Sequence, residues 1–314
     1  MTQEPTSAAV ISQESAESIE VRDQPSLWSR LIKNPSVIIG GLIIAMVLSL
    51  VPAAPLLTSL DPTDISPRNR NKSPGEMTVH KDDEGNKYEI KAVMGTDKLG
   101  RDVYSRVIYG ARVSLLVGLS VAIIAVTIGL AIGLVAGYFR LVDAIVMRVM
   151  DGLMAIPAIL LAIALVSLSG ASLFTVIFAI VIPEIPRVVR LVRSIVLSIR
   201  EEPYVEAAIS VGTPTAKILS RHVLPNTIAP LIVQGTFICG SAILLEAILS
   251  FLGVGVPPET PTWGNIMAQG RDLFQLYPHN IFYPGIFLTL TVLAINMLGD
   301  GLRDTIDPRM SKEI

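Results

Sequence analysis

The feature that most constrains this chain is a series of long apolar runs. A helix needs about 20 consecutive apolar residues to cross the hydrocarbon core of a bilayer. Six runs approach that length, at residues 37–57, 115–138, 144–169, 173–189, 228–252 and 282–302. Continuous runs, unlike amphipathic stripes, are typical of helices that span a membrane. The sequence therefore predicts an all-α integral membrane protein with six transmembrane helices.

The fourth run, residues 173–189, is the weakest of the six. It is short and contains Pro183 and Pro186, so we expect the helix to be broken there. Composition still supports a membrane class, because only 17% of the residues are charged, whereas soluble domains carry about a quarter. Counting the fourth run as a span places both termini on the same side.

The distribution of basic residues predicts the orientation, because cytoplasmic loops carry an excess of Lys and Arg. The basic residues of the two tails and of the loop between the fourth and fifth runs are Arg22, Arg30, Lys33, Arg187, Arg190, Arg193, Arg200, Lys217, Arg221, Arg303, Arg309 and Lys312. The short loops on the other side carry only Arg271. We therefore expect residues 187–226 and both tails in the cytoplasm, and residues 58–114 and 253–281 outside it.

The segment before the first run has a different composition. Residues 1–27 are rich in Ser, Glu, Gln and Ala and contain no apolar run, which predicts a disordered cytoplasmic tail. No basic region is followed closely by an apolar core, so a cleaved signal peptide is not expected. Residues 28–57 are expected to remain in the membrane as the first transmembrane helix, and residues 115–310 to form the core transmembrane domain.

The two outward segments carry different turn and strand signals. In the first, Pro74-Gly75 predicts a turn, and residues 87–90 with Val93-Met94 are compatible with a short hairpin strand. In the second, residues 253–264 are rich in Gly and Pro and predict a rigid, non-helical loop. Trp263 is expected to be an interfacial or docking aromatic in that loop.

A compact polar module lies between the fourth and fifth runs, at residues 200–226. Pro203 suits a first helical position and Gly212 a helix C-cap. Thr213-Pro214 then predicts the start of a second short helix, which Leu224-Pro225 is expected to stop. Such a bent helix pair fits a groove on a soluble partner. The pattern equally fits a helix pair that lies on lipid headgroups.

Charged residues inside the apolar runs have two interpretations each, because they are costly in lipid and normally face the bundle interior. Glu246 either lines a translocation path, or it pairs with another helix or extends toward the outer face of the membrane. Arg148 and Asp151 are spaced to pair on one helix, which favours a structural over a functional interpretation. Glu184, between the two prolines, either marks a hinge or is solvated at the cytoplasmic rim.

Arg101, Asp102, Arg106 and Arg112 recur just before the second apolar run. One interpretation is a docking or gate surface for a partner protein outside the membrane. The other is a solvated gate helix held by Arg–Asp pairs, each of which contributes about 0–1 kcal/mol when exposed.

Several of these motifs together resemble a known family. Glu206-Ala207-Ala208, Gly212 and Leu224-Pro225, at this spacing, resemble the EAA loop of ABC importer permeases. Four further stretches resemble the second permease chain of di- or oligopeptide importers. They are Gly95-Thr96-Asp97-Lys98-Leu99-Gly100-Arg101-Asp102, Arg221-His222-Val223-Leu224-Pro225-Asn226, Pro261-Thr262-Trp263-Gly264 and Asn296-Met297-Leu298-Gly299-Asp300. The resemblance covers roughly residues 28–310.

The resemblance implies a type I ABC importer permease fold with a cytoplasmic coupling helix. The implied ATPase-coupling residues are Tyr204, Glu206, Ala207, Ala208, Gly212, Leu224 and Pro225. The implied partners are a homologous permease, two ATPase subunits and an extracytoplasmic peptide-binding protein, all acting at the cytoplasmic (inner) membrane. The chain contains no phosphate-binding loop of the Gly-x-x-x-x-Gly-Lys-Ser/Thr type. We therefore expect ATP and Mg²⁺ on partner subunits, and no cofactor and no catalytic residue in this chain.

The function expected from the resemblance is peptide import by alternating access, driven by separate ATPases. Nickel or glutathione permeases share the motifs and remain alternatives. A secondary transporter would require ionisable residues at mid-depth and an internal repeat, and no repeat is visible. An enzyme or metal protein lacks support, because Cys239 is the single cysteine and His80, His222 and His279 are dispersed.

Overall fold

A computed structural model describes residues 27–81 and 86–306, which are mostly helical. The predicted disordered tail and the end of the chain therefore lie outside the described residues, apart from Leu27. The helices of the described part are α1 (Leu27–Lys33), α2 (Pro35–Leu57), α3 (Val103–Tyr138), α4 (Arg140–Met154), α5 (Ala158–Ser169), α6 (Leu173–Arg200), α7 (Pro203–Ser210), α8 (Thr215–Ile218), α9 (Leu224–Phe251), α10 (Trp263–Gly270) and α11 (His279–Ile306).

Four helical segments are long and apolar enough to cross a membrane, or five if a bent pair counts as one span. They are α2, α3, the continuous segment Thr215–Phe251, and α11, with α4 and α5 as the bent pair. The remaining long helix, α6, has 28 residues and contains Glu184 and four arginines. The predicted class, an all-α integral membrane protein, is thus confirmed. The predicted count of six transmembrane helices is not confirmed.

The third predicted span, residues 144–169, is not one helix. Helices α4 and α5 meet at an angle of 88° across residues 155–157. Pro157 explains the break, because the residue before a proline is pushed out of the helical region and the proline itself has no N–H to donate. Its φ of −54° and ψ of 129° are non-helical.

The fourth predicted span behaves in the opposite way. Helix α6 continues through both Pro183 and Pro186, so the predicted break is wrong. Both prolines are buried against neighbouring elements. Packing along the whole length of α6 outweighs the hydrogen bonds that two prolines remove, as is common for helices inside membrane bundles.

The bundle is organised by close contact between α3 and α6. Gly129, Gly133 and Gly137 of α3 lie opposite Val188, Val192 and Val196 of α6, in the same order, so the two helices run parallel. A Cβ atom at Gly133 would lie 2.7 Å from the Cβ of Val192. Small residues at four-residue spacing let two backbones approach closely in a membrane. This glycine stripe fixes the level of every residue of α6 relative to α3.

Two ends of the bundle can be distinguished. Helix α7 lies at one end, beyond Tyr138 and Arg200, and we call it the α7 end. At the opposite end, the α10 end, the N-terminus of α3 meets α10, where Trp263 Nε1 donates to the Val107 carbonyl at 3.1 Å.

A β-hairpin lies in the segment between α2 and α3. Strands β1 (Met77–Lys81) and β2 (Lys87–Lys91) pair antiparallel, with Thr78 opposite Ile90. The predicted strand at residues 87–90 is therefore confirmed, but it ends at Lys91 and does not include Val93-Met94. The buried Asn69 side chain bonds both the N–H of Val79, at 3.0 Å, and its carbonyl, at 2.8 Å. That contact occupies the outer edge of β1.

Candidate functional site: the helix pair at the α7 end

Helix α7 is defined by its two ends. Pro203 occupies the first turn, where its missing N–H costs nothing, and Glu202 at the N-cap is extended. At the other end Gly212 has a φ of +79°, in the left-handed region. The N–H of Gly212 donates to the Ile209 carbonyl at 2.9 Å, and the N–H of Thr213 donates to the Ala208 carbonyl at 3.0 Å. These two bonds form a Schellman motif, which confirms Gly212 as the residue that ends the helix.

One side of α7 attaches it to the bundle. Val205 is completely buried and belongs to the core cluster that also contains Ile199, Ile218 and Val223. This cluster joins α7 to the last turn of α6 and to α8. The short helix is therefore fixed to the two long helices on either side of it.

The other side of α7 is open to solvent. Glu206 and Ala207 are exposed, Tyr204 is 47% exposed, and Val211, at the tip, is 82% exposed. The Tyr204 ring lies 5.9 Å from the imidazole of His222, which ties the exposed face to the next helical segment. An exposed valine beside a carboxylate is the surface expected of a helix that enters a groove on a partner. The predicted coupling residues Tyr204, Glu206, Ala207, Ala208 and Gly212 thus share one protrusion.

The second helix of the module differs from the prediction. It begins at Thr215, with Pro214 at the N-cap, one residue later than expected. Leu224-Pro225 does not stop it, because α8 continues through a π-helical turn, Leu219–Val223, directly into α9. The N–H of Leu224 bonds the Leu219 carbonyl, five residues back. Pro225 has no N–H to donate, and the wider π turn directly before it lets the helix continue past this missing hydrogen bond. The module is therefore joined to a full-length helix without a break.

Of the predicted docking or gate residues, Arg101, Asp102, Arg106 and Trp263 lie at the α10 end and are buried, whereas Arg112 is exposed. Arg101 is 3% exposed, Asp102 6%, Arg106 0% and Trp263 0%. The prediction that they form a solvated or docking surface is therefore wrong for this fold. Residues 95–106 form a turn and a helix start that point the side chains of Asp97, Arg101, Asp102 and Arg106 into the protein.

Asp97 is the centre of this buried group. Its carboxylate accepts from Arg101 Nε at 2.8 Å and from the backbone N–H groups of Leu99, at 2.8 Å, and Arg101, at 3.0 Å. Arg101 also donates to Gln269 of α10. Arg106 donates to the carbonyls of Pro62, at 3.0 Å, and Pro258, at 3.5 Å. The group therefore joins the segment after α2, the start of α3 and the loop before α10. We call it the Asp97 cluster.

Asp102 has a separate role beside the cluster. It is the N-cap of α3 and accepts from the Ser105 N–H at 2.7 Å and the Ser105 hydroxyl at 2.8 Å. Burial raises the pKa of its carboxyl, and the two hydrogen bonds from Ser105 oppose that rise. This cap starts α3 at residue 103, twelve residues before residue 115, where the second apolar run begins.

Glu246 is fully buried inside the chain and does not face an open path. Ser250, one turn later on α9, donates to its carboxylate at 2.7 Å. Its other oxygen has no hydrogen-bond partner. The structure therefore replaces the predicted path-lining role with a contact inside the chain, where α9 meets the loop that leads to α10.

Sequence reasoning missed the ion pairs between α4 and α6. Asp151 does not pair with Arg148 as predicted but with Arg190 of α6, at 2.9 Å. Arg193 bonds both oxygens of Asp143. The signal that could have revealed them is the three-residue spacing of Arg187, Arg190 and Arg193, which places all three on one helical face.

Among residues 27–81 and 86–306, no group of three His, Cys, Asp or Glu side chains could hold a metal ion.

Comparison with known proteins supplies the family. Residues 125–312, well over half of the chain, match the model for "binding-protein-dependent transport system inner membrane component". A probable peptide ABC transporter permease protein, y4tQ of Sinorhizobium fredii, is 51% identical, covering 89% of this chain and 91% of that protein. The dipeptide transport system permease protein DppC of Alkalihalophilus pseudofirmus is 40% identical over 90% and 89%. The glutathione transport system permease protein GsiD of Pectobacterium atrosepticum is 35% identical over 90% of each.

A solved structure has the same fold. A chain of the inward-facing MetNI methionine ABC transporter superposes with a TM-score of 0.51, covering 64% of this chain and 97% of that one, at 18% identity. At that identity the likeness concerns the fold alone. The family model and the relatives are independent of it, and on their strength the chain belongs to the family of binding-protein-dependent transport system inner membrane components.

Proposed function

We propose that this chain is the membrane permease subunit of an ATP-binding cassette importer that carries peptides across the inner membrane. The observation that carries the proposal is the α7 protrusion, an exposed helix fixed to two long helices of the bundle. A subunit that performs no chemistry of its own requires such a joint to a subunit that does. Relatives named as peptide or dipeptide permeases match 89% and 90% of this chain at 51% and 40% identity, and the glutathione permease of Pectobacterium atrosepticum matches 90% at 35%. The first two favour peptides as the solute.

In this proposal α7 is the coupling helix and inserts into a cleft on an ATPase subunit. Val211 and Tyr204 supply apolar contact, and Glu206 supplies the charge that sets the partner's orientation. The α7 end then faces the cytoplasm, together with both termini, and the α10 end faces outward. This orientation agrees with the excess of arginine at the α7 end.

The complete transporter in this proposal contains two permeases, two ATPases and an external binding protein. ATP-driven closure of the ATPases moves α7, and the π-turn connection passes that movement to α9. Because coupling free energies between sites are reciprocal, the loaded binding protein must favour ATPase closure by the same amount.

The test is Glu206→Lys in the complex co-expressed with its ATPases and second permease and reconstituted in nanodiscs. We expect the variant to assemble, but ATP hydrolysis should no longer rise on addition of the loaded binding protein. Asp304→Lys is the matched control, since Asp304 is also exposed and lies near the end of α11 at the same side. Normal stimulation in Glu206→Lys would contradict the coupling role of α7.

A further inference from the structure

Three ion pairs follow one face of α6 toward its C-terminal end. Arg187 lies 3.1 Å from Glu184 on the same helix. Arg190 lies 2.9 Å from Asp151 of α4, and Arg193 bonds Asp143, also of α4. The three arginines are one helical turn apart. We call the six residues the ion-pair column.

The column begins deep inside the bundle. Val188, next to Arg187, packs against Gly129 of α3. Gly129 lies about 14 Å before the end of α3 at Tyr138, at 1.5 Å per helical residue. We place the membrane boundary of the α7 end at Tyr138 and Arg200, since aromatic rings are enriched at membrane interfaces. The Arg200 guanidinium lies 5.6 Å from the centre of the Tyr138 ring and donates to the Tyr138 carbonyl at 3.1 Å. Arg187 is therefore at a level where α3 is continuously apolar.

The column is nevertheless open on one side. The side chains of Arg187 and Arg190 are 51% and 50% exposed, and that of Asp151 is 59% exposed. Ion pairs exposed at this depth are unfavourable against lipid tails, because the hydrocarbon cannot solvate them. Such residues normally face a water-filled cavity or another polar surface.

The path of α4 explains how the open face is kept clear. Asp143 and Asp151 are about 12 Å apart along α4, but their arginine partners are about 4.5 Å apart along α6. Helix α4 therefore crosses α6 steeply, and the chain then turns by 88° into α5. At that turn Gly152 has no atom within 4 Å of the position a Cβ would occupy. The half-exposed side chains of Arg190 and Asp151 show that the chain does not cover the column at this crossing.

We propose that the ion-pair column lines the water-filled translocation path, in the half of the membrane next to α7. This inference rests on the proposed function. It assigns the lining of the path to the column, since Glu246 is enclosed inside the chain. The column contains three guanidinium and three carboxylate groups and is electrically balanced. A zwitterionic peptide can thus pass without a net charge to hold it, as permeation requires weak and repeated contacts.

The test is cysteine accessibility in the reconstituted transporter, on a Cys239→Ser background that retains stimulated ATPase activity. Cys239→Ala replaces that background if Cys239→Ser does not assemble. The probe is the membrane-impermeant cation (2-(trimethylammonium)ethyl) methanethiosulfonate, added from the α7 side. Arg187→Cys is made together with Glu184→Gln, so that no buried carboxylate is left without its partner. The matched control is Ile128→Cys, since Ile128 is 37% exposed at the same level of α3 and residues 124–132 around it contain no charged side chain.

We expect the thiol at position 187 to react at least tenfold faster than that at position 128. Addition of ATP with the loaded binding protein should slow the reaction at 187, because alternating access closes the inner half of the path. Slow reaction at both positions, or equally fast reaction at both, overturns the proposal. Either result, obtained in a complex whose ATPase still responds to the binding protein, leaves the proposed function standing. Loss of that response in the background variants and in wild type instead contradicts the proposed function.

Discussion

Asp97 and Arg101 form an ion pair of 2.8 Å whose side chains are only 3% and 4% exposed. The fully buried Arg106 lies beside it, with its Nε 4.0 Å from the same carboxylate. One carboxylate thus compensates two guanidinium groups where three segments of the α10 end meet. The motif around Asp97 is consequently a structural centre of the fold, although its position before α3 suggested an exposed surface.

Asp97→Asn should destabilise the protein strongly, because it leaves two buried arginines without a counter-charge. Removing one partner of a buried pair costs about 3–5 kcal/mol. Asp102→Asn is the matched control: Asn is as good an N-cap as Asp, so we expect a change within about 1 kcal/mol. Thermal unfolding of the purified complex in nanodiscs compares the two. Equal effects of the two substitutions would contradict the central role of Asp97.

Asp102 should also make stability depend on pH in the acid range. Its folded-state pKa is raised, chiefly by burial, so between the unfolded and folded pKa values the native state holds a proton that the unfolded state has lost. Stability from this group therefore falls as the pH rises through that interval and is constant above it. Asp102→Asn should remove this part of the pH dependence, which thermal unfolding measured across a pH series will detect.

Gly133→Val should weaken the contact between α3 and α6. The new side chain meets Val192, whose Cβ is 2.7 Å from the position of a Cβ at residue 133. Overpacking of this kind costs about 1–3 kcal/mol. Gly41→Ala is the control, because a Cβ there meets nothing within 4 Å, and we expect no loss of stability. The yield of assembled complex after heating separates the two variants.

Gly212→Ala should reduce coupling without preventing assembly. The left-handed φ of +79° at this position costs a residue with a Cβ about 1 kcal/mol or more. The turn after α7 is then strained, and the protrusion is less well positioned. Gly212→Asn should lie closer to wild type, because Asn adopts this conformation more readily. The measurement is ATP hydrolysis with and without the loaded binding protein; identical coupling in wild type and Gly212→Ala counts against this geometry.

The two valines of the α7 region should behave in opposite ways. Val205→Ala removes buried methyl groups that anchor α7 and should lower stability by about 1–2 kcal/mol. Val211 is 82% exposed, so Val211→Ala should leave stability unchanged and instead weaken binding of the isolated ATPase subunit to the permease. Pull-down of the ATPase, together with thermal unfolding, distinguishes these outcomes. A stability loss in Val211→Ala with normal ATPase binding would reverse the assignment.

Local signals in the sequence predicted local structure well. The Pro203 and Gly212 positions gave the two ends of α7, and residues 87–90 gave a strand. Prolines inside the apolar runs were less reliable signals of a helix end, because their effect depends on packing. Pro157 separates α4 from α5, whereas Pro183 and Pro186 remain inside α6. The difference lies in the neighbours that surround each proline, which the sequence does not list.

The sequence by itself determined the membrane class, the apolar helices and the module between α6 and α9, because these depend on runs of side chains and on residues with restricted backbones. Only the tertiary structure decided which charges are buried and which are open. Arg101, Arg106 and Glu246 are enclosed, while Arg187 and Arg190 remain half-exposed beside α4. The physical reason is that the burial of a charge depends on side chains far away along the chain, such as Gln269 for Arg101 and Asp151 for Arg190.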